Sequence, residues 1–173
     1  TKGDNNTAVG NHAGSGITTG FDNVLIGALA GYSLTTGSRN VGVGTTALSL
    51  TTIGTGNTAV GNNALVNNTT GAFNVSIGFS TLSGNTIGRD NVAIGNNAMT
   101  GNTTGDGNIA IGYFAYRSGT TATGNTVLGY NAATGLTTGV NNTVIGNNAQ
   151  PTSATITGEI TLGNANVAVL RCQ

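Results

Sequence analysis

The chain carries very little charge, because it has 5 Lys and Arg, 5 Asp and Glu, and a formal net charge of zero. Nucleic acids and anionic membrane surfaces are bound through clustered Lys and Arg, so this composition argues against both as partners. No apolar run approaches the roughly 18 residues that span a bilayer, and we expect no membrane insertion. The single cysteine, Cys172, rules out a framework of intrachain disulfides.

Residues that carry chemistry are equally scarce. A glycan-cleaving site needs two carboxylates about 5–9.5 Å apart, and only Asp90 and Asp106 come from neighbouring parts of the repeat described below. His12 has no Cys or carboxylate cluster with which to bind a metal, and no glycine motif opens a helix to bind phosphate. We therefore predict that the protein is not an enzyme and uses no metal or cofactor.

Gly, Thr and Asn make up about half of the chain and recur with a period of 17 residues. One glycine column has ten members, without insertion or deletion: Gly10, Gly27, Gly44, Gly61, Gly78, Gly95, Gly112, Gly129, Gly146 and Gly163. Asparagine stands four residues before the first nine: Asn6, Asn23, Asn40, Asn57, Asn74, Asn91, Asn108, Asn125 and Asn142. A strict short repeat is typical of a solenoid, whose stacked units share one continuous core.

With the asparagine counted as position one, positions two to four read as a short strand in every unit. Position four is aliphatic in all ten units, position two is Val, Ile or Thr, and position three is mostly small. Alternation along a strand places position three on the opposite face from positions two and four. We expect positions two and four to form a thin core with a second, inward-facing strand around the alanine at position eight. The small position-three face would then contact other subunits.

These patterns predict an all-β fold, a parallel β-solenoid or β-roll of ten 17-residue coils over residues 1–163. Residues 164–173 read as an exit segment leading to a further domain. Glycines at positions five and 15 predict turns with positive φ. The asparagine column predicts a ladder of stacked side-chain amides. Asp22 and Arg39 occupy the same position of consecutive coils, and so do Arg89 and Asp106. Stacking in register would therefore place opposite charges side by side.

Aromatic residues concentrate in coils seven and eight, residues 108–141. The candidate ligand-binding residues there are Tyr113, Phe114, Tyr116, Arg117, Tyr130 and Asn131. Exposed rings flanked by polar side chains can stack on sugar rings, while the arginine and asparagine donate hydrogen bonds. Alternatively the rings fill a subunit contact or a widened coil, because Ala122 replaces the usual glycine at position 15 and Phe79 shares the column of Tyr113.

The units NVAIGNNA (91–98), NTAVGNNA (57–64) and NTVIGNNA (142–149) resemble the repeats of YadA-like trimeric autotransporter adhesin heads and of phage tail fibres. The resemblance covers residues 6–163 and implies a left-handed β-roll with three chains around one axis. The C-terminal ITLGNANVAVLRCQ (160–173) resembles the stretch before an endosialidase-type intramolecular chaperone, which trimerises such fibres and is cleaved off.

Together these features predict a segment of a homotrimeric extracellular fibre, on a phage tail or a bacterial surface, that attaches to cell-surface glycans or another receptor. A pure shaft without ligand is one alternative, and a glycan-depolymerising tailspike is another. An ice-binding solenoid is a third, because Thr occupies position 13 in the first eight coils. Ice-binding faces need alternating outward threonines, however, so we expect these hydroxyls to bond the turn backbone instead.

Overall fold

A computed structural model describes residues 3–165 as a parallel β-solenoid of about nine turns. Its ten strands are β1 Thr7–Val9, β2 Val24–Ile26, β3 Val41–Val43, β4 Thr58–Val60, β5 Val75–Ile77, β6 Val92–Ile94, β7 Ile109–Ile111, β8 Thr126–Leu128, β9 Thr143–Ile145 and β10 Ile160–Leu162. They form one sheet in sequence order, and residues 17 apart lie opposite each other in every pair. The predicted all-β solenoid with 17-residue coils is confirmed.

Cys172 and most of the predicted exit segment lie outside the described residues. Within residues 3–165, no helix is long and apolar enough to span a bilayer.

The two faces of the sheet are the reverse of the prediction. Position three points into the coil and is fully buried in the middle coils, as Leu25, Ala59 and Val127 show with no exposed surface. Positions two and four point outward, and none of their side chains is buried. A three-residue strand in a narrow coil leaves little interior space opposite its centre. Position three is therefore mostly small, with Leu25, Val127 and Val144 as the larger members, and the aliphatic residues of positions two and four lie outside.

The rest of the core comes from positions eight, nine and 12. Alanine at position eight is buried, as predicted, and position nine inserts the larger side chains. The large, fully buried members of position nine are Leu48, Leu65, Leu82, Met99 and Tyr116, and Ala133 is a smaller one. The sequence pattern left position nine unassigned, although its apolar column marks it as a core position.

The predicted second strand is absent from the described coils, and consecutive turns replace it. In coil three, Ala47 N donates to Gly44 O, Ser49 N to Thr46 O and Thr51 N to Leu48 O, at 3.2, 3.2 and 3.0 Å. Thr46 and Leu48 both have φ of 57°. The left-handed conformation costs a non-glycine residue roughly 1–2 kcal/mol, and burying a leucine gains roughly 1.5–3 kcal/mol. The core contact therefore offsets the strain at position nine.

Glycine occupies positions five and 15 for two different reasons. At position five, φ lies between 125° and 141° from Gly10 to Gly146, which confirms the predicted positive φ. At position 15 the prediction is wrong, because these glycines do not have positive φ. A Cβ on Gly88 would lie 2.4 Å from Asn85 Oδ1 and 2.5 Å from Gly105 O. Glycine is favoured there because successive coils approach closely, and Ala122 is the one larger residue at this position in the first eight coils.

The asparagine ladder is confirmed and is fully buried through the middle of the rod. At Asn91, Nδ2 donates to Asn74 Oδ1 at 3.1 Å and to Gly105 O at 2.8 Å. Its Oδ1 accepts from the backbone N and from Nδ2 of Asn108, at 3.0 and 3.1 Å. Each amide thus uses two donors and two acceptor sites, which is its complete capacity.

Threonine hydroxyls at position 13 bond the turn backbone, as predicted. Thr52 Oγ1 donates to Thr69 O at 3.1 Å, and Thr69 Oγ1 donates to Thr86 O at 3.0 Å. Five more threonines of the column donate in the same way: Thr18, Thr35, Thr86, Thr103 and Thr137. Each of these hydroxyls has its one donor bonded to the protein, and its acceptor lone pairs alone remain for water.

The predicted charge pairs do not form as ion pairs among the described residues. Asp22 accepts a hydrogen bond from the Asn5 amide at 3.1 Å, and the Arg39 guanidinium lies 5.2 Å from the centre of the Phe21 ring. Arg89 meets Asp106 through its backbone N, 2.7 Å from Oδ1. An exposed ion pair gains only about 0–1 kcal/mol, so a ring contact or a backbone donor competes with it easily.

Candidate functional site

Side chains at positions six, seven and 10 of coils seven to nine surround an open cleft of about 350 Å³. The lining residues are Tyr113, Phe114, Arg117, Tyr130, Asn131, Thr134 and Asn148. Because coils stack with residues 17 apart in register, three parallel columns build this lining. The tyrosines form one wall, Arg117 and Thr134 form the other, and position seven lies between them. The structure therefore brings together five of the six residues that were predicted as a ligand site.

The aromatic wall is a short stacked column. The rings of Tyr113 and Tyr130 are nearly parallel, with centroids 5.3 Å apart and planes at 12°. Phe114 meets Tyr113 edge to face, at 4.3 Å and 70°. Tyr113 and Tyr130 are 41% and 50% exposed, so their edges remain accessible to a ligand. Mutual contact fixes these rings without covering them.

Arg117 is the one charged side chain in the cleft. Its guanidinium lies 5.2 Å from the centre of the Phe114 ring, a cation–π contact that orients the group. No acidic residue occurs between positions 108 and 141 of the chain. Within the described part of the structure, its guanidinium makes no hydrogen bond or ion pair to protein. Its N–H groups are therefore free to bind an external acceptor.

Tyr116, the sixth predicted ligand residue, does not belong to the cleft. It occupies position nine, where positive φ turns the side chain inward, and it is fully buried. Its hydroxyl accepts a hydrogen bond from Asn125 Nδ2 at 2.9 Å. Burial raises the pKa of this hydroxyl above its ordinary value, and the Asn125 bond opposes the shift only in part. Tyr116 is a core residue.

Room for this ring comes from glycine at position 12 of the same coil. A Cβ on Gly119 would lie 2.3 Å from Tyr116 Cζ, so the tyrosine fills the space that a leucine or asparagine takes in other coils. Coil seven also carries Ala122, the exception to glycine at position 15. At Gly88 a new Cβ would meet both the position-12 side chain of Asn85 and the carbonyl oxygen of Gly105 in the next coil. Gly119 removes the first of these contacts from coil seven and leaves the second.

Sequence reasoning missed two lining residues, Thr134 and Asn148. Both could have been found by extending the columns, since Thr134 follows Arg117 at position 10 and Asn148 follows Asn131 at position seven. Among the described residues, no three His, Cys, Asp or Glu side chains come together in a group that could hold a metal ion.

A second candidate surface is the outer face of the sheet, which we call the aliphatic face. It consists of the side chains at positions two and four of β1 to β10, of which sixteen are Val, Ile or Leu and four are Thr. Ile77, Ile109 and Leu128 remain 38%, 40% and 44% exposed. The ten stacked strands extend this face over about 43 Å, because nine spacings of about 4.8 Å separate the first strand from the last. It bears no charge.

The fold and these surfaces define a parallel β-solenoid with one apolar face and one aromatic cleft. Comparison of the chain with protein-family models, with curated proteins and with solved structures finds no match. Its assignment to the parallel β-solenoids therefore rests on its own repeat and geometry.

Proposed function

We propose that the chain is a rigid segment of a homotrimeric extracellular fibre, on a phage tail or a bacterial surface, that serves attachment. The aliphatic face carries this proposal. Soluble monomers rarely expose continuous apolar patches larger than a few hundred Å². A face about 43 Å long, without a charged side chain, is typical of a surface that another chain covers.

The free energy gained by burying the aliphatic face is large enough to favour association. Complete burial of Val, Leu or Ile gains about 1.5–3 kcal/mol, so the two-fifths of a side chain that stays exposed at ten of these positions is worth about 0.6–1.2 kcal/mol. Ten such side chains give about 6–12 kcal/mol per chain, and the six less exposed ones add to this gain. Association costs about 4–15 kcal/mol in lost freedom, which this gain can exceed. The proposed subunit contact therefore lies on positions two and four, on the opposite face of the strand from the position-three face that the sequence predicted.

A trimer, as opposed to another oligomer, is supported by the resemblance of the repeats to trimeric adhesin heads and tail fibres. A threefold axis along the rod places coil n of each chain at the same height, so equal positions of the three aliphatic faces meet. Such an arrangement would also protect the outer side of the sheet and stiffen the rod. The aromatic cleft favours an attachment role over a pure shaft, because a shaft has no use for an exposed Arg between ring and amide side chains.

Sedimentation equilibrium on the 173-residue chain tests the assembly. We expect a mass three times that of the chain. Replacing Ile77 and Ile111 by Asp puts two charges into the middle of the aliphatic face and should give a folded monomer, with the β-sheet circular dichroism retained.

Ile87→Asp is the matched control, because Ile87 is 50% exposed but lies at position 14, away from the sheet. This variant should keep the mass of the parent. A parent chain that stays monomeric at every concentration would overturn the proposal, and so would equal masses for the Ile77/Ile111 variant and the parent.

A further inference from the structure

The cleft between the tyrosine column and Arg117 has a composition that selects among ligands. Its charge is that of one guanidinium, since Arg117 is its one charged lining residue. The two other arginines within residues 3–165 have acids close in the fold: Arg39 shares its column with Asp22, and Arg89 is followed by Asp90. Coils seven and eight contain no acid, and Arg117 forms no ion pair within residues 3–165.

The orientation of Arg117 suits a planar anion. Its contact with the Phe114 ring holds the guanidinium, and its N–H donors have no protein partner among the described residues. A fixed guanidinium can donate two parallel hydrogen bonds to a carboxylate, which is a strong, charge-assisted pairing. A neutral ligand would leave this charge without a counterion.

The tyrosine column supplies a ring platform beside this charge. One face of Tyr130 is covered by Tyr113, at 5.3 Å. On the other side, position six of the next coil is Asn147, so the aromatic column ends there. The amide side chain of Asn131, which has no hydrogen bond to protein within residues 3–165, lies in the column between the tyrosines and Arg117. Hydroxyl groups of a ligand would find a donor and an acceptor there.

The geometry points to a binding subsite for a carboxylated sugar, such as a hexuronic acid within a surface polysaccharide. The pyranose ring lies against Tyr130, the carboxylate binds Arg117, and Asn131 and Thr134 bind ring hydroxyls. This inference rests on the proposed attachment role and names its ligand class. A single shallow site binds weakly, and parallel copies in a fibre would raise the avidity.

Binding of tri-galacturonic acid, followed by NMR titration of the intact chain, tests the subsite. The matched neutral ligand is the fully methyl-esterified trimer, which keeps the same rings and loses the charges. We expect the acid to bind at least tenfold more tightly than the ester, and added salt to reduce this difference.

Two pairs of variants separate the cleft from the general surface. Arg117→Gln is compared with Arg39→Gln, because both arginines lie 5.2 Å from a phenylalanine ring and only the first lines the cleft. Tyr130→Ala is compared with Tyr32→Ala, since Tyr32 is a similarly exposed tyrosine, at 45%, outside the cleft. Arg117→Gln should weaken acid binding about tenfold or more, and Tyr130→Ala should weaken both ligands, while each control changes affinity less than twofold.

Absence of binding, equal affinity for acid and ester, or equal effects of Arg117→Gln and Arg39→Gln would each overturn the subsite. A fall in solution mass caused by Tyr130→Ala would also overturn it, because the rings would then belong to a subunit contact. The same samples keep the two proposals apart. A trimer that binds no acid contradicts only the subsite, whereas a monomer that binds the acid contradicts only the assembly.

Discussion

The buried amide ladder makes a sharp prediction for Asn91→Ala. The substitution removes four hydrogen bonds, with partners on coils five, six and seven. Three of the partner groups keep another bond: Asn74 Oδ1 still accepts from the backbone N of residue 91, Gly105 O from Asn102 Nδ2, and Asn108 Nδ2 still donates to Ala122 O. The backbone N of Asn108 loses its acceptor and stays buried.

The expected loss follows from these four groups. A buried donor without a partner costs about 1–3 kcal/mol, and each of the other three bonds is worth about 0.5–1.5 kcal/mol. The free energy of unfolding should therefore fall by about 3–7 kcal/mol. For a chain of this size, that lowers the melting temperature by about 6–28 °C. Asn62→Ala is the control, because Asn62 is exposed and its loss should stay within about 0.5 kcal/mol.

Urea unfolding followed by circular dichroism measures both variants at one protein concentration, since assembly makes stability depend on concentration. Hydrogen exchange at the Asn108 amide provides a local readout, and its protection should drop most. A loss below about 1 kcal/mol for Asn91→Ala, or one equal to that of Asn62→Ala, would refute the view that the ladder amides hold successive coils together.

Two further predictions concern single side chains. Tyr116→Ala should lose about 3–5 kcal/mol in urea unfolding, because it empties the core of coil seven, whereas Tyr116→Phe should lose at most about 1 kcal/mol. Asn125 Nδ2 keeps Asn108 Oδ1 and Gly139 O as acceptors, at 3.2 and 2.9 Å, so equal losses for the two variants would contradict this assignment. Hydrogen bonds from Thr152 and then from Thr161 hold the pKa of Glu159 below its ordinary value. A lowered folded pKa gives a stabilisation that is present above the ordinary glutamate pKa and lost as the pH falls through the folded value. Exchange protection at the Thr152 amide should therefore decrease on acidification, and an identical pH dependence in Glu159→Gln would contradict it.

The period, the strands and the amide ladder could be predicted from the sequence because stacking repeats each local environment at a fixed interval. The place of Asn91 in the amide ladder therefore follows directly from the asparagine column of the sequence. Which face of each strand points into the coil could not be predicted in the same way. Period-two alternation separates Ala93 from Val92 and Ile94 without saying which face is enclosed, and the size of the side chains pointed to the wrong face.

In the candidate site, column membership decides where each aromatic residue lies. Tyr116 shares position nine with Leu82 and Met99, which indicates burial, whereas Tyr113 shares position six with Phe79, which is 51% exposed. Local clustering in the sequence suggested one group of rings instead. The positive φ that turns Tyr116 inward is unusual for such a residue, so backbone propensity offered no warning.

Close glycine contacts and the shared ladder also restrict how such a molecule can change in length. Because every coil bonds to the residues 17 positions before and after it, adding or deleting any other number of residues would bring mismatched side chains into the ladder. A whole coil, in contrast, adds about 4.8 Å and leaves every outer column continuous. The length of the rod therefore changes in steps of one coil. Recombination between repeats would lengthen or shorten the molecule and leave its surface columns unchanged.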